Sequence, residues 1–391
     1  MSSLFGMLSR EIVFWSVWIL IPILMEILPA IFNFFYLIKK KISVIINSEE
    51  INRYPEITLI IPVYNSEVTL RGCLESIANS TYPNDLIEIM LVNNESKDSS
   101  FTIFTECQRD FPQLSMQWLN AKQGKSKALN MALFNATGKY IIHIDSDGKL
   151  HQDAIMNMVT RFEHNSHIHC MTGTVLTDPE LIEETKGFFL KTLRRCEFYE
   201  YAQDFLVGRN YESEFDSVFT LSGAFSAFRK STILKTQLYN TDTVCEDTHV
   251  TFQVRKYLNK QVFLCENAFF FVDPIENVDK LYTQRQRWQR GEIEVVHMFL
   301  KKELQPSKAL LSNFVIRLIM YDHTFAFPRM IWYFALICLV FMNYPMKLVV
   351  GSVIVIYVFY IMTAYMYFAN ICAFLKQYKE IRKYYVSKFY I

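Results

Sequence analysis

Two aspartates, Asp145 and Asp147, end an apolar run and are the first candidates for chemistry. Residues 140–147 read YIIHIDSD, a predicted buried strand. Residues i and i+2 of an extended chain point to the same side, and Mg²⁺ commonly binds one or two protein carboxylates and takes its other ligands from substrate phosphates and water. The pattern indicates a divalent-cation site, although Asp147-Gly148 is also typical of a turn, with one aspartate capping a helix.

A second polar segment, Gln123 to Asn130, opens a predicted helix with one glycine and two lysines, Lys125 and Lys127. A helix N-terminus attracts anions, so this segment suits a diphosphate. It is not a P-loop, because the spacing of that motif is absent. The alternative interpretation is a solvated basic turn.

Adjacent acids, Glu246 and Asp247, precede a third amphipathic run in the sequence CEDTHVTFQVRKYL. In a functional interpretation, Asp247 is a general base that takes a proton from an acceptor hydroxyl. In a structural interpretation, the two acids form the cap and first turn of a helix, where the helix dipole favours them.

The fourth segment, QRQRW at residues 284–288, lies on a predicted helix. Gln284, Arg287 and Trp288 share one face through the i, i+3 and i+4 spacing. An arginine there could stabilise a leaving diphosphate, and an indole could stack on the apolar face of a sugar ring. A positive helix beside anionic lipid is the alternative.

These segments must be positioned by the elements around them, and apolar and amphipathic runs alternate through this part of the chain. The predicted strands and helices are, in chain order, 57–64, 68–80, 87–94, 99–110, 116–120, 125–135 and 140–147. Such alternation favours an α/β fold, a mostly parallel sheet with helices on both faces. Ligands of such sheets bind outside the carboxyl ends of the strands, which directs attention to residues 64–65, 93–94 and 145–147.

The remaining histidines and cysteines predict no second site. His164, His167, His169 and Cys170 lie in a predicted loop that enters a strand, where alternate residues face opposite sides. The eight cysteines include no C-x-x-C pair and are typical of reduced thiols in a cytosolic compartment.

Composition limits the class of protein. The 391 residues are 51% hydrophobic and 20% charged, too apolar for an ordinary soluble enzyme and too polar for one wholly embedded in a membrane. Forty basic and thirty-nine acidic residues give a net charge of +1, so no global attraction to nucleic acid is expected.

The excess apolar residues lie near the two ends of the chain. Residues 12–38 and 348–375 are long enough to span a bilayer, and residues 325–344 also suit a span. Residues 310–321 suit an amphipathic helix in the interface. Lysines after the first stretch and a basic tail after the last predict a multi-pass cell-membrane protein with its middle in the cytoplasm.

The expected organisation has three parts. They are a transmembrane anchor with a basic flank at 1–50, a catalytic domain at 51–302, and an interfacial helix, about two transmembrane helices and a basic cytoplasmic tail at 303–391.

Taken in order, the motifs resemble those of the processive family 2 glycosyltransferases, which include the synthases of cellulose, chitin, hyaluronan and poly-N-acetylglucosamine. The matching segments are IPVYN at 61–65, VNNESKD at 92–98, GKSKALN at 124–130, DSD at 145–147, SGAFSAFRK at 222–230, CEDT at 245–248 and QRQRW at 284–288. The resemblance implies a GT-A catalytic domain on the cytoplasmic face of the membrane.

The resemblance also implies an inverting, metal-dependent transfer of a sugar such as N-acetylglucosamine or glucose from a UDP-sugar. Asp147 and Asp145 would engage Mg²⁺ or Mn²⁺, and Asp247, beside Glu246, would deprotonate the acceptor while Arg287 stabilises the leaving diphosphate. The implied substrate-binding residues are Pro62, Tyr64, Asn65, Asn94, Lys125, Asp145, Gly223, Gln284 and Trp288. The implied partners are a UDP-sugar, a polysaccharide or lipid-linked acceptor, membrane lipid and an accessory membrane subunit.

Two departures keep alternatives open. Asn93 and Asn94 stand where relatives often carry two aspartates, one of which contacts uracil. Only two predicted transmembrane helices follow the catalytic part, fewer than most such synthases have. Transfer of one sugar to a lipid or polyprenyl carrier is therefore a second hypothesis, and a catalytically inactive membrane scaffold is a third.

Overall fold

The computed structural model describes residues 19–20, 22–44, 53–300, 326–342 and 344–389. These residues group into two compact units. One lies within Met1–Asn47 and Glu303–Gln377, and the other within Ser48–Lys302 and Tyr378–Ile391.

The second unit is built on an eight-stranded sheet in the order β3-β2-β1-β4-β7-β6-β8-β5. In chain order, the strands are β1 (Ile57–Val63), β2 (Ile87–Asn93), β3 (Ser115–Asn120), β4 (Tyr140–Ile144), β5 (Gly148–Leu150), β6 (Cys170–Thr177), β7 (Phe225–Arg229) and β8 (Val262–Val272). Strands β3, β2, β1 and β4 are parallel neighbours, as are β6 and β8. Strand β7 is antiparallel to both β4 and β6, and β5 to β8. The sheet is therefore mixed, and its parallel half matches the strands predicted from the sequence.

Helices of the described residues follow the amphipathic runs. In chain order, they are α1 (Leu28–Val44), α2 (Leu70–Ala78), α3 (Ser100–Asp110), α4 (Lys125–Asn135), α5 (Ala154–His164), α6 (Pro179–Glu184), α7 (Phe188–Gln203), α8 (Asn210–Glu214), α9 (Lys230–Ile233), α10 (Glu246–Lys256), α11 (Val278–Leu300), α12 (Ala326–Phe341), α13 (Met346–Phe374) and α14 (Lys379–Ser387). Short π-helical stretches, Ile23–Ile27 and Asp204–Arg209, precede α1 and α8.

The core lies where the sheet is covered on both faces. Every residue of β1 and β4 is buried, which explains why both strands are continuous apolar runs and do not alternate. Helix α4 packs its Ala128, Leu129 and Leu133 into this core. The core therefore fixes the point at which each of these strands ends, and hence the polar residues that follow it.

The first unit contains α1, α12 and α13. Among the described residues, α13 is the one helix that is both long enough, at 29 residues, and apolar enough to cross a membrane. It contains nearly all of the predicted span 348–375. The apolar part of α12, Trp332–Phe341, is shorter. Residues 12–18 and 21 of the predicted anchor and the predicted interfacial helix at 310–321 lie outside the described residues.

The segment that contains His164, His167, His169 and Cys170 leads from the end of helix α5 into strand β6. Cys170 is the first residue of β6 and is buried, His169 Nδ1 is 3.0 Å from Thr232 Oγ1, and the eight cysteines are all free. Within the described residues, no group of three or more histidine, cysteine, aspartate or glutamate side chains is arranged to hold a metal ion.

Candidate active site

A cleft of about 1050 Å³ opens at the carboxyl ends of the parallel strands. Six of the predicted site residues lie in or just after β1, β2 and β4 and line it: Pro62, Tyr64, Asn65, Asn94, Asp145 and Asp147. Three more come from helices α4 and α11: Lys125, Gln284 and Arg287. The sheet edge thus brings together segments that are up to 225 residues apart, because parallel strands end at the same side.

Lys125 is the centre of an ionic network. Its Nζ donates to Asp145 Oδ1 at 2.5 Å and to the carbonyl oxygen of Gly223 at 3.1 Å, and it lies 3.6 Å from Glu246 Oε1. Burial opposes the charge, but the carboxylates of Asp145 and Glu246 outweigh it and raise the pKa of Lys125. The ammonium group therefore ties together three of the predicted segments, whereas Lys127, two residues on, is exposed.

Asp145 has a second neighbour that the sequence interpretation missed. His143, on β4, is 2% exposed, and its Nε2 lies 3.6 Å from Asp145 Oδ1, beyond hydrogen-bond distance. Burial lowers the pKa of His143 and favours the neutral ring. Burial alone would raise the pKa of Asp145, but the charge of Lys125 and the contact with His143 hold it well below its usual range. The sequence feature that could have identified this neighbour of Asp145 is a histidine within an otherwise apolar strand.

Asp147 is in a different electrostatic environment. Its side chain is exposed and lines the cleft, and no basic side chain of the described residues forms an ion pair with it. Desolvation by the surrounding protein and the nearby charge of Asp145 raise the pKa of Asp147 to about 6. An accessible carboxylate that lacks a compensating positive charge is suited to a divalent cation, which would supply that charge.

Asp247 and Gly223 are in close contact. Asp247 lies in the first turn of α10, where its Oδ1 accepts a hydrogen bond from the Thr248 backbone N–H at 2.7 Å. A Cβ on Gly223 would lie 2.8 Å from Asp247 Oδ2, closer than real Cβ contacts allow. The glycine therefore leaves room for the carboxylate. Beside it, burial raises the pKa of Glu246, although Lys125 opposes that effect.

The side chains of the QRQRW segment, which lies on helix α11, are in two different environments. Gln284 and Arg287 line the cleft, and the buried Oε1 of Gln284 has no hydrogen-bond partner among the described residues. Trp288 is half-buried and is not among the cleft-lining residues. Its ring lies 4.5 Å from the guanidinium carbon of Arg285, and Arg285 also forms an ion pair with Glu200 at 2.8 Å.

The cleft wall before α11 contains residues that the sequence interpretation did not single out. Ile275 is held from both sides by helix α7: its N–H donates to Glu197 at 2.9 Å, and its carbonyl oxygen accepts from Arg194 Nε at 2.8 Å. Arg194, Asp273 and Ile275 all line the cleft. No local pattern marked them, because this pairing joins segments about 80 residues apart.

Helix α11 is also packed tightly against the segment that carries Asp247. A Cβ on Gly291 would lie 2.1 Å from Cys245 Sγ and 2.7 Å from Cys245 Cβ. Cys245 immediately precedes Glu246 and Asp247. Gly291 therefore sets the distance between α11 and the two acids.

We expect Gly291→Ala to lower kcat/KM of any reaction that uses the two acids by about 10²-fold, the cost of displacing a catalytic group by roughly 1 Å. Alanine ordinarily stabilises a helix interior relative to glycine, so a loss of activity here has to come from the clash. The measurement is steady-state kinetics, with Gly208→Ala as the matched control, since the nearest atom to a Cβ at Gly208 is 3.6 Å away.

Adding Cys245→Gly to Gly291→Ala removes both clashing atoms and should restore part of the lost activity. Wild-type kinetics in Gly291→Ala alone would show that this contact does not position the acids.

Comparison with known proteins identifies the domain. Residues 58–235 match the model of the family described as Glycosyl transferase family 2. Two similar curated proteins are the poly-beta-1,6-N-acetyl-D-glucosamine synthases of Staphylococcus epidermidis, 25% identical over 280 residues, and of Staphylococcus aureus strain COL, 25% identical over 284 residues. Each match covers 70% of this chain but only 64% of the relative, slightly less than two thirds of its length.

A solved structure supports the fold. A mannosyltransferase from Pyrobaculum calidifontis, in complex with GDP-Man and Mn²⁺, superposes with a TM-score of 0.60 at 17% sequence identity, covering 92% of this chain and 97% of the other. The predicted GT-A-like α/β fold is confirmed. Residues 58–235 therefore form the part of the chain that matches the Glycosyl transferase family 2 domain.

Proposed function

We propose that the protein is an inverting, metal-dependent glycosyltransferase that moves N-acetylglucosamine from a UDP-sugar to the end of a growing polysaccharide at the cytoplasmic face of the membrane. One observation carries the proposal. The Asp247 carboxylate lies against Gly223, whose carbonyl oxygen accepts from Lys125, and Lys125 in turn pairs with Asp145. A candidate base and a candidate diphosphate site thus belong to one network.

In the proposed reaction, Asp247 accepts the proton of the acceptor hydroxyl as that oxygen attacks the anomeric carbon. The new bond forms on the side opposite the departing UDP, the bond from the anomeric carbon to the phosphate oxygen breaks, and the configuration inverts. Arg287, exposed in the cleft, is the cation proposed to stabilise the negative charge that develops on the diphosphate.

Asp147 and Asp145 are the residues proposed to hold Mg²⁺ or Mn²⁺. The fit rests on Asp147, which is accessible and has no ion-pair partner among the described residues. A divalent cation bound there would supply positive charge beside the diphosphate. Lys125 is proposed to orient Asp145, with which it pairs at 2.5 Å, and not to act as a free diphosphate ligand.

The membrane arrangement is part of the proposal. Helix α13 is long and apolar enough to span, and basic residues flank the apolar stretches on the side assigned to the cytoplasm. Three spans, in the first unit, would keep the catalytic domain inside the cell. An accessory membrane subunit is proposed as a further partner, because among the described residues only α13 is long and apolar enough to span, and one helix cannot enclose a polymer.

Addition of one sugar to a lipid or polyprenyl carrier is the alternative. The small size of the membrane part favours single addition, whereas the Q-x-x-R-W motif at residues 284–288 favours polymer synthesis. Product length separates the two, because a ladder or smear on a gel excludes single addition.

The test is nucleotide release by the full chain in lipid, with Mn²⁺ or Mg²⁺, across UDP-sugars and GDP-mannose. We expect release from UDP-N-acetylglucosamine only and loss of release in EDTA. Release from GDP-mannose alone would contradict the proposed donor. Metal-dependent UDP binding without release from any donor, whatever acceptor is supplied, would favour the inactive scaffold.

A further inference from the structure

Helix α14 (Lys379–Ser387), which lies in the predicted basic tail, packs against the unit that contains the cleft. Two of its residues are buried there, Ile381 at 6% exposed and Tyr385 at 2%. The residues on its other side are exposed: Lys379, Glu380, Arg382, Lys383, Val386 and Ser387. The helix is therefore amphipathic, and its apolar side is covered by the protein.

The aromatic residues of α14 lie against helix α7. The ring centroids of Tyr384 and Phe198 are 5.0 Å apart, and those of Tyr385 and Tyr199 are 5.1 Å apart. The Tyr199 hydroxyl group also donates a hydrogen bond to the backbone carbonyl oxygen of Tyr385 at 2.9 Å. Helix α14 thus covers one side of α7.

Polar contacts fix α14 at both of its ends. Before the helix, the Tyr378 hydroxyl group accepts from Asn157 Nδ2 at 3.1 Å and donates to the Asn267 carbonyl oxygen at 2.9 Å. After the helix, Lys388 Nζ lies 3.7 Å from Glu183 Oε1. These contacts tie the helix to α5, to β8 and to α6.

The Glu183 carboxylate joins α14 to two elements of the cleft wall. Its oxygens lie 2.9 Å from Lys191 Nζ and 3.0 Å from Arg195 Nη2, both on α7. Glu183 itself lies on α6, where its neighbours Leu181 and Glu184 line the cleft. Helices α6, α7 and α14 therefore meet at one carboxylate, with the cleft on the far side of α6.

Helix α7 connects the surface that binds α14 to the cleft. Its Arg194 and Glu197 hold the backbone of Ile275 from both sides, and Arg194 Nη1 also donates to Thr185 Oγ1 at 2.6 Å. Thr185, Arg194 and Ile275 all line the cleft. Because α7 is one hydrogen-bonded helix, a displacement on the side that contacts α14 also moves the side that holds Ile275.

We infer that Ile381 and Tyr385 are positioning residues, which dock α14 on α7 and thereby hold the cleft wall at Ile275 in place for the reaction. The part of the inference that concerns the reaction rests on the proposed function. Strand β6 also contacts α7, so loss of α14 should shift the wall without unfolding the domain.

The test replaces both buried residues by aspartate in the full chain, in the double variant Ile381→Asp with Tyr385→Asp. Burying a charge without a partner is unfavourable, so α14 should leave the surface of α7. The matched control is Val386→Asp with Ser387→Asp, which adds the same two charges at exposed positions of the same helix.

Hydrogen exchange, followed by mass spectrometry, measures the loss of α14 at residues 379–387 and its consequence at the Ile275 amide, which donates to Glu197. We expect faster exchange at both places in the double variant. We also expect kcat/KM for nucleotide release to fall about 10- to 100-fold, in the range that a displacement of roughly 1 Å produces. The control should match the wild type in exchange and in kcat/KM.

A synthetic peptide of residues 376–389 separates positioning from damage to the domain. Added to the double variant, the peptide can occupy the vacated surface of α7, and it should restore both the protection of the Ile275 amide and kcat/KM. The same peptide with aspartate at both buried positions should restore neither.

Three results would overturn the inference. They are wild-type exchange at 379–387 in the double variant, faster exchange there with no change at Ile275 or in kcat/KM, and a wild-type peptide that binds without restoring either quantity. If the wild-type protein releases no nucleotide from any donor, the proposed function fails, and the exchange of the Ile275 amide by itself decides whether α14 holds the cleft wall.

Discussion

Asp247→Asn is expected to lower kcat by about 10²- to 10⁴-fold, the contribution of a positioned general base, and to leave nucleotide binding unchanged. Asparagine has nearly the shape of aspartate and keeps an oxygen for the Thr248 N–H, which lies 2.7 Å from Asp247 Oδ1. An amide oxygen cannot hold the acceptor proton at neutral pH. Single-turnover kinetics and UDP calorimetry on the same preparation separate the two effects.

The control for this substitution is Asp242→Asn, an exposed carboxylate five residues earlier. It should transfer sugar at the wild-type rate. An active Asp247→Asn enzyme would remove Asp247 from the role of base and direct attention to Glu246, whose pKa burial raises. Weak UDP binding by Asp247→Asn would instead indicate that the donor site has been disturbed.

Much of the fold could be predicted because the relevant signals are local. The runs that became β1 and β4 are buried along their whole length, so a continuous apolar run followed by a polar residue marks where each strand ends. Since parallel strands end at one side of a sheet, the predicted residues that follow β1, β2 and β4 had to meet. The antiparallel placement of β7 between β4 and β6 could not be predicted, because pairing is set by contacts distant in sequence.

Side-chain partners within the site were harder to foresee. The sequence suggested that Lys125 faces a diphosphate, but its ammonium group is 2.5 Å from Asp145 and 3.6 Å from Glu246. It suggested that Trp288 faces a sugar, but Arg285 lies over its ring. These three partners are ordinary charged residues, and their identity in the sequence does not indicate which side chain each will contact. The sequence thus identified several segments that line the candidate site, and the packing of helices determined which side chains meet.

Asp147→Asn is the second change with a large expected effect. If Asp147 holds the divalent cation, the amide should weaken Mn²⁺ binding at least tenfold, since even loss of a group that only supports a metal ligand typically costs about 10- to 100-fold in affinity. Mn²⁺ binding by electron paramagnetic resonance, without any donor, measures this apart from catalysis. The matched control is Asp153→Asn, which lies outside the cleft lining, and unchanged Mn²⁺ binding by Asp147→Asn would place the cation elsewhere.

The pH dependence of the same measurement gives the proposed metal site a sharper test. A proton competes with the cation for Asp147, whose pKa burial and the charge of Asp145 raise to about 6. Mn²⁺ affinity should therefore be constant well above pH 6 and fall about tenfold per pH unit below it.

The folding stability of the metal-free protein should depend on pH in the opposite direction. Since the folded pKa exceeds the ordinary value of 3.8, the metal-free protein gains stability from protonated Asp147 at low pH and loses it as the pH rises from about 4 through about 6. Asp147→Asn should remove both dependences. A wild-type affinity that does not change between pH 5 and 7 would show that Asp147 does not bind the ion, whatever the variant does to catalysis.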